Sequence, residues 1–141
     1  MPSWFWYALA AAVLYGAHQI FTRLAADRIG DGIGGLVVEG IAALTILAYL
    51  GLLWSTGRWE QKFSWAGFVY SAITGVCVGA GTLAFFLMFQ RGGPLSAVPA
   101  ILAGGAALMA VAGVVFFHEP ATWQRVSGVA LAIAGLFLMA R

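Results

Sequence analysis

Charged residues are scarce in this sequence. Asp, Glu, Lys and Arg make up 9% of its 141 residues and hydrophobic residues 62%, whereas soluble domains carry roughly 25% and 45–50%. A soluble domain of this size could not bury so much apolar surface, because it must keep a polar shell toward water. The composition therefore excludes an ordinary soluble domain and predicts a protein that has the lipid bilayer as its solvent.

Cysteine is nearly absent, and so are catalytic motifs. The single cysteine, Cys77, cannot form a disulfide within the chain, and its apolar surroundings predict a small buried hydrophobe. The sequence contains no phosphate-binding glycine loop and no Ser–His–Asp set, and we expect no cofactor. His18 and His118 are expected near opposite membrane faces, where they cannot share a metal ion. The sequence therefore argues against an enzyme.

Basic residues are few and scattered. The net charge is +2, and no basic patch of the kind that binds nucleic acid is present. The first four residues, Met1-Pro2-Ser3-Trp4, contain no Lys or Arg, although a secretory signal peptide begins with a basic region. We therefore expect the first apolar stretch to be a membrane span of the mature protein.

Five apolar stretches make up most of the chain. A spanning helix needs about 20 mostly apolar residues, and five stretches reach or approach that length: 4–22, 33–54, 65–89, 95–117 and 121–140. Most tryptophans lie near the ends of these stretches, as an aromatic belt at the membrane surfaces requires. The sequence predicts an all-α integral membrane protein in which residues 1–141 form one domain with five transmembrane helices.

The basic residues of the connections are divided almost evenly between the two membrane faces. Face A, which includes the N-terminus, carries Arg58, Lys62 and Arg125. Face B carries Arg23, Arg28, Arg91 and Arg141. Since an excess of Lys and Arg on one side sets orientation, three against four favours neither. The chain is either weakly biased and oriented by a partner, or it inserts in both directions.

One acidic residue, Glu39, lies inside the predicted second span. A charged group in hydrocarbon costs about 2.5–3.5 kcal/mol on insertion scales, so it requires a reason. On the first span, a polar stripe follows the i, i+3, i+4, i+7 pattern of one helix face: Tyr15, His18, Gln19 and Thr22. At 1.5 Å per residue, His18 and Glu39 would lie about 7 and 10 Å below face B.

Two interpretations of this polar set remain open. In the first, Glu39, His18, Gln19 and Tyr15 form a site that binds a proton or a cationic substrate group. In the second, Glu39 pairs with Arg23 or Arg28 at the headgroups and His18 has a structural hydrogen bond.

Other residues indicate packing and structure. Ser71, Gly75 and Gly79 repeat every four residues, which is a close-packing motif for membrane helices; they serve packing within the chain or a seam between two copies. Pro99 and a following glycine pair could loosen the fourth span or form a packing surface. Glu119 is expected to be structural, paired with Arg125 or Lys62, and Pro120 to open the fifth helix in its first turn.

The order and spacing of several short motifs resemble the five-helix EamA-like proteins of the drug/metabolite transporter superfamily. The first hairpin contributes residues 14–25, LYGAHQIFTRLA. The turn between the third and fourth spans contributes Phe89-Gln90-Arg91-Gly92 followed by Pro99. The closing segment contributes His118-Glu119-Pro120-Ala121-Thr122-Trp123, then Gly128 and Gly135. Together these motifs extend over essentially the whole chain.

The resemblance implies a multi-pass inner-membrane transporter of small metabolites or drugs, often working by proton exchange. Larger relatives contain two such units with inverted topology, so a chain with one unit would need a second, inverted copy. His18 departs from the resemblance, since a small amide such as Asn is more usual there. Four-helix small multidrug resistance proteins differ in span number, so the glutamate of their first helix cannot be transferred to this chain.

The sequence therefore predicts an antiparallel homodimer that moves a small-molecule substrate across the bilayer by alternating access. The alternative is a non-transporting membrane subunit of a larger complex that retains the same fold.

Overall fold

Helices follow the five apolar stretches of the sequence. The computed structural model describes residues 3–139, apart from the side chains of residues 125, 132, 136 and 139, and within this range the chain forms five α-helices and no strand. The helices are α1 (Ser3–Ala26), α2 (Asp31–Ser55), α3 (Trp65–Gln90), α4 (Val98–Phe117) and α5 (Trp123–Met139). The predicted all-α class is confirmed.

Three of the helices described are long and apolar enough to cross a membrane. They are α2, α3 and the segment Leu95–Phe117, in which a short 3₁₀ turn, Leu95–Ala97, leads into α4. α1 has 24 residues, but tryptophans and the polar stripe lower its apolar content. α5 has 17 residues, fewer than the roughly 20 that a span needs. The membrane character of the chain is supported, and the number of five spans stays a prediction.

The first connection is shorter than the sequence suggested. α1 continues beyond Thr22 to Ala26 and α2 begins at Asp31, so only residues 27–30 connect them. An ion pair of 2.6 Å between Arg23 and Asp27, one turn apart, stabilises the end of α1. Asp31 places a negative charge at the start of α2, where the helix dipole favours it.

α5 begins later than predicted because the chain turns before it. His118 ends α4 with a left-handed backbone, φ 52°, and the Glu119 amide donates to the Gly113 carbonyl. The Thr122 amide then donates to the Pro120 carbonyl. Pro120 therefore lies in the turn and not in the first turn of α5, so that part of the prediction is wrong.

Pro99 lies in the first turn of α4. A proline costs little there, because the first amides of a helix have no partner within it. Pro99 therefore does not interrupt the fourth span, contrary to the loosening that the sequence suggested.

The chain divides into two compact units, Met1–Gly92 and Gly93–Arg141. In unit 1, α1 and α2 both pack against α3, and the buried residues all lie near the α1–α2 connection. On α1 they are Gln19, Thr22 and Ala26, on α2 Gly34 and Gly35, and on α3 Thr82, Phe86 and Phe89. None of residues 3–16, 40–55 and 65–78 is buried. Unit 1 is thus tightly packed at one end only.

Two glycines of α2 allow the closest helix approach in unit 1. A Cβ at Gly34 would lie 2.5 Å from Cε1 of Phe86, and one at Gly35 would lie 3.0 Å from Cδ2 of Leu83. Phe86 itself is fully buried, with 0% exposure. The ring therefore lies directly on the bare backbone of α2.

The Ser71–Gly75–Gly79 stripe lies on the open part of α3. No heavy atom of the described residues lies within 4 Å of where a Cβ would be at Gly75 or Gly79. Packing of this stripe within unit 1 is therefore not observed, and a seam with another chain stays a prediction. Cys77 is exposed in the same region, so the expectation of a buried thiol is wrong.

Unit 2 is a hairpin of α4 and α5. Between them lies a cavity of about 690 Å³ lined mainly by alanine and valine, with Glu119 at its edge. The Glu119 carboxylate folds back over α4, where a Cβ at Gly113 would lie 3.5 Å from it. The predicted pairing of Glu119 with Arg125 or Lys62 stays a prediction, since the side chain of Arg125 lies outside the described residues.

Candidate binding site around Glu39

Three polar side chains lie at one level of unit 1. His18, Glu39 and Thr82 are each eight residues from the end of their helix that is nearest the α1–α2 connection. At 1.5 Å per residue each lies about 12 Å from that end. A hydrogen bond of 3.1 Å from Gln90 Nε2 to the Ile29 carbonyl oxygen joins the end of α3 to the connection. His18 and Glu39 are therefore deeper than the sequence suggested, because α1 and α2 both extend further toward the connection.

Glu39 accepts a hydrogen bond from α3. The Thr82 hydroxyl donates to Glu39 Oε1 over 2.5 Å. Glu39 is half-buried and Thr82 is buried. This bond fixes one carboxylate oxygen at the level where the three helices of unit 1 meet.

The two arginines that could have neutralised Glu39 bind elsewhere. Arg23 forms its ion pair with Asp27 and lies over the Phe89 ring, 5.8 Å from the centroid. Arg28 donates to the carbonyl oxygen of Leu24. Among the described side chains, no Lys, Arg or His nitrogen lies within 4.0 Å of the Glu39 carboxylate. The pairing that offered a purely structural explanation of Glu39 is therefore not observed.

In the described part of the chain, three residues of the α1 polar stripe have buried polar atoms without a hydrogen-bond partner. Gln19 is 7% exposed and Thr22 is 2% exposed. Within the part of the chain that the structure describes, His18 Nδ1, Gln19 Oε1 and Thr22 Oγ1 are buried and unpaired. Buried polar atoms nearly always have a partner, so these three atoms are candidates for contact with a further group.

Tyr15 lies at the edge of this region. Its side chain is 66% exposed, and its ring meets that of His18 edge to face with centroids 6.4 Å apart. The structure therefore places Tyr15 beside His18 and outside the buried part of the stripe. A role as a wall of the site stays a prediction.

Sequence reasoning missed Thr82 and Thr22 as candidate binding residues. In the sequence, Thr82 follows the glycine stripe of the third span, and Thr22 is only the last position of the polar stripe. Thr82 could have been identified by its distance from the end of α3, which equals the distance of Glu39 from the start of α2 once both helix ends are known. Helix ends are the least certain part of a sequence interpretation, so the sequence alone does not reveal this match.

Comparisons with known proteins agree with the membrane character of the chain. The model of the EamA-like transporter family matches residues 2–141. A Sinorhizobium protein described as "Uncharacterized transporter in cobO 3'region" is 25% identical over 140 residues, which cover 98% of this chain and 96% of that protein. No solved structure is a significant match. Because the family match extends over nearly every residue, the chain belongs to the EamA-like transporter family and is a membrane transporter.

Proposed function

We propose that the chain carries a small metabolite or drug across the inner membrane as a multi-pass antiparallel homodimer, with Glu39 as the group that binds protons and substrate in turn. The observation that supports this most is the environment of Glu39. The carboxylate lies about 12 Å inside the packed end of unit 1 and is bonded by Thr82. An ionisable group at such a depth typically marks a transport or proton pathway.

The Thr82 bond provides a simple coupling step. A carboxylate only accepts hydrogen bonds, whereas a protonated carboxyl also donates one. Protonation of Glu39 would therefore weaken its attraction for a cationic group and change the bond that joins α2 to α3. Because proton and substrate compete for one carboxylate, export of one would drive import of the other.

Two features support a pair of inverted copies. The basic residues in the connections and near the helix ends are divided three to four between the two predicted faces, so neither orientation is strongly favoured. The Ser71–Gly75–Gly79 stripe is open in the single chain, and stripes of this kind allow close approach of helices in lipid. Inverted repeats that rock around a central site are a common basis of alternating access.

Transport by purified protein in proteoliposomes tests the proposal. We expect a pH gradient to drive uptake of at least one member of a metabolite panel, and Glu39→Gln to abolish this uptake while folding and association are unchanged. Glu60→Gln is the matched control, because Glu60 lies in the exposed connection between α2 and α3. Equal transport by Glu39→Gln would refute the role of Glu39. Absence of any transport, together with co-purification at fixed stoichiometry with unrelated subunits, would favour the alternative of a non-transporting subunit.

A further inference from the structure

The unpaired atoms of α1 share one chemical character. Gln19 Oε1 can only accept hydrogen bonds, and Thr22 Oγ1 and an unprotonated His18 Nδ1 can accept them as well. All three are buried without a partner in the described part of the chain. A carboxylate has about four acceptor positions, of which Thr82 fills one. The region thus contains several acceptors and few donors.

These acceptors lie close to one level. Gln19 is seven residues from the end of α1, and Glu39 is eight residues from the start of α2, so their depths differ by about 1.5 Å. Thr22 lies one turn nearer the connection on the same helix face. Axes of packed helices are about 8–10 Å apart, so side chains at one level of neighbouring helices can reach one small group when they face each other.

The charges nearby exclude an anionic group. Arg23 and Arg28 point to Asp27 and to the Leu24 carbonyl oxygen, so they are not available to bind a carboxylate or phosphate. Glu39 itself would repel such a group. A quaternary ammonium has no N–H group, so it would balance the charge of Glu39 but leave the oxygens of Gln19 and Thr22 unpaired. A hard metal cation takes oxygen ligands and would leave His18 Nδ1 unpaired.

We propose that this site binds the ammonium group of a primary amine, with Glu39 balancing its charge and Gln19, Thr22 and His18 accepting its N–H hydrogen bonds. A primary ammonium carries three donors and no acceptor, which matches the unpaired atoms in number and kind. The inference rests on the proposed transport function and adds the chemical class of the substrate and one further binding residue, Thr22, while Thr82 positions the Glu39 carboxylate.

Binding of matched probes to the full chain in lipid nanodiscs tests this assignment. The probes are phenethylamine, tryptamine, the N,N,N-trimethyl derivative of phenethylamine, and 3-phenylpropanoate, measured by calorimetry at neutral pH. We expect the primary amines to bind about tenfold or more tightly than the trimethyl compound, because unmade bonds to buried acceptors weaken binding, and 3-phenylpropanoate not to bind. Equal binding of the trimethyl compound, tighter binding of 3-phenylpropanoate, or no binding of either amine would overturn the proposal.

Thr22→Val separates binding from structure. Since the Thr22 hydroxyl is buried and unpaired without ligand, its removal should raise the melting temperature of the empty protein, yet weaken phenethylamine binding about tenfold and leave the trimethyl compound unaffected. Thr74→Val is the control, because the Thr74 hydroxyl already bonds the Tyr70 carbonyl oxygen at 2.9 Å on an exposed part of α3. Unchanged amine binding by Thr22→Val would overturn the assignment of Thr22 and, with it, the acceptor site.

The outcome also separates this inference from the proposed function. Glu39-dependent transport of a solute without an amine would overturn the amine site and leave the transporter intact. Amine binding without Glu39-dependent transport of any solute would refute the proposed function and leave the site as described.

Discussion

At the residue scale, Gly34 is the position with least tolerance in unit 1. The buried Phe86 ring would lie 2.5 Å from a Cβ placed there, closer than non-bonded carbon atoms approach. Gly40, six residues further along the same helix, has no heavy atom of the described residues within 4 Å of its own Cβ position. The two glycines therefore lie in the same helix, but Gly34 is in a tight contact and Gly40 is not.

We predict that Gly34→Ala destabilises the protein and Gly40→Ala does not. Overpacking a well-packed contact costs about 1–3 kcal/mol, whereas Ala in place of Gly within a helix gains about 0.5–1 kcal/mol. Equilibrium unfolding in mixed SDS micelles would measure both variants. If Gly34→Ala were as stable as Gly40→Ala, the contact between α2 and α3 would be looser than described.

The polar residues of the site could be predicted only in part. Glu39 stood out because it is an acid inside an apolar stretch, and the α1 residues because they share the helical period. The partners could not be predicted, since the Thr82 bond depends on the register of two helices whose ends are set by caps and glycine contacts. For the same reason, sequence alone left both arginines open as partners of Glu39.

At the element scale, His118 holds an unfavourable backbone conformation. Its φ of 52° lies in the left-handed region, which glycine adopts without strain and other residues adopt at a cost. Helices commonly end with glycine at such a position. The end of α4 is therefore locally strained by the residue that closes it.

We predict that His118→Gly stabilises the hairpin of α4 and α5 by up to about 1 kcal/mol, measured by the same unfolding method. His118→Ala serves as the control, because it removes the same ring but keeps a Cβ and should bring no such gain. A similar rise for both variants would show that the ring, and not the backbone angle, is responsible.

The length of the apolar stretches predicts which segments form helices, but it does not predict where each helix begins and ends. Apolar runs near 20 residues dictate helices in lipid, because every backbone group must be paired there. The sequence places the end of α1 too early, because the charged residues Arg23 and Asp27 are typical of a polar loop. In the structure they form an ion pair one helical turn apart. The start of α5 was misplaced because the left-handed His118 adds a turn before the helix.

At the scale of the whole molecule, the open stripe of α3 is the proposed seam between two copies. Gly79 and Gly81 are both half-buried, and a Cβ added to either glycine would have no heavy atom of the described residues within 4 Å. Only Gly79 continues the four-residue spacing of Ser71 and Gly75. Leucine can therefore be introduced at Gly79, which is on the stripe, and at Gly81, which is on another face of α3, and the two variants can be compared.

We predict that Gly79→Leu lowers the dimer fraction in lipid, because a leucine there prevents close approach of the partner helix, while Gly81→Leu leaves the dimer intact. Single-molecule subunit counting in lipid would measure it. Should Gly79→Leu dimerise as wild type does, the stripe faces lipid and the seam lies elsewhere.

Unit 1 has its buried residues at one end only, and this has a consequence for the surrounding lipid. If the three helices cross the bilayer, they exclude acyl chains from between them in one leaflet, whereas in the other leaflet acyl chains would reach each helix from several sides. Acyl chains that lie between helices lose conformational freedom. Their release into bulk lipid therefore favours association of two copies of the protein in that leaflet. A pair of inverted copies would draw one such contribution from each leaflet, and its affinity would then respond to the lipid composition of both.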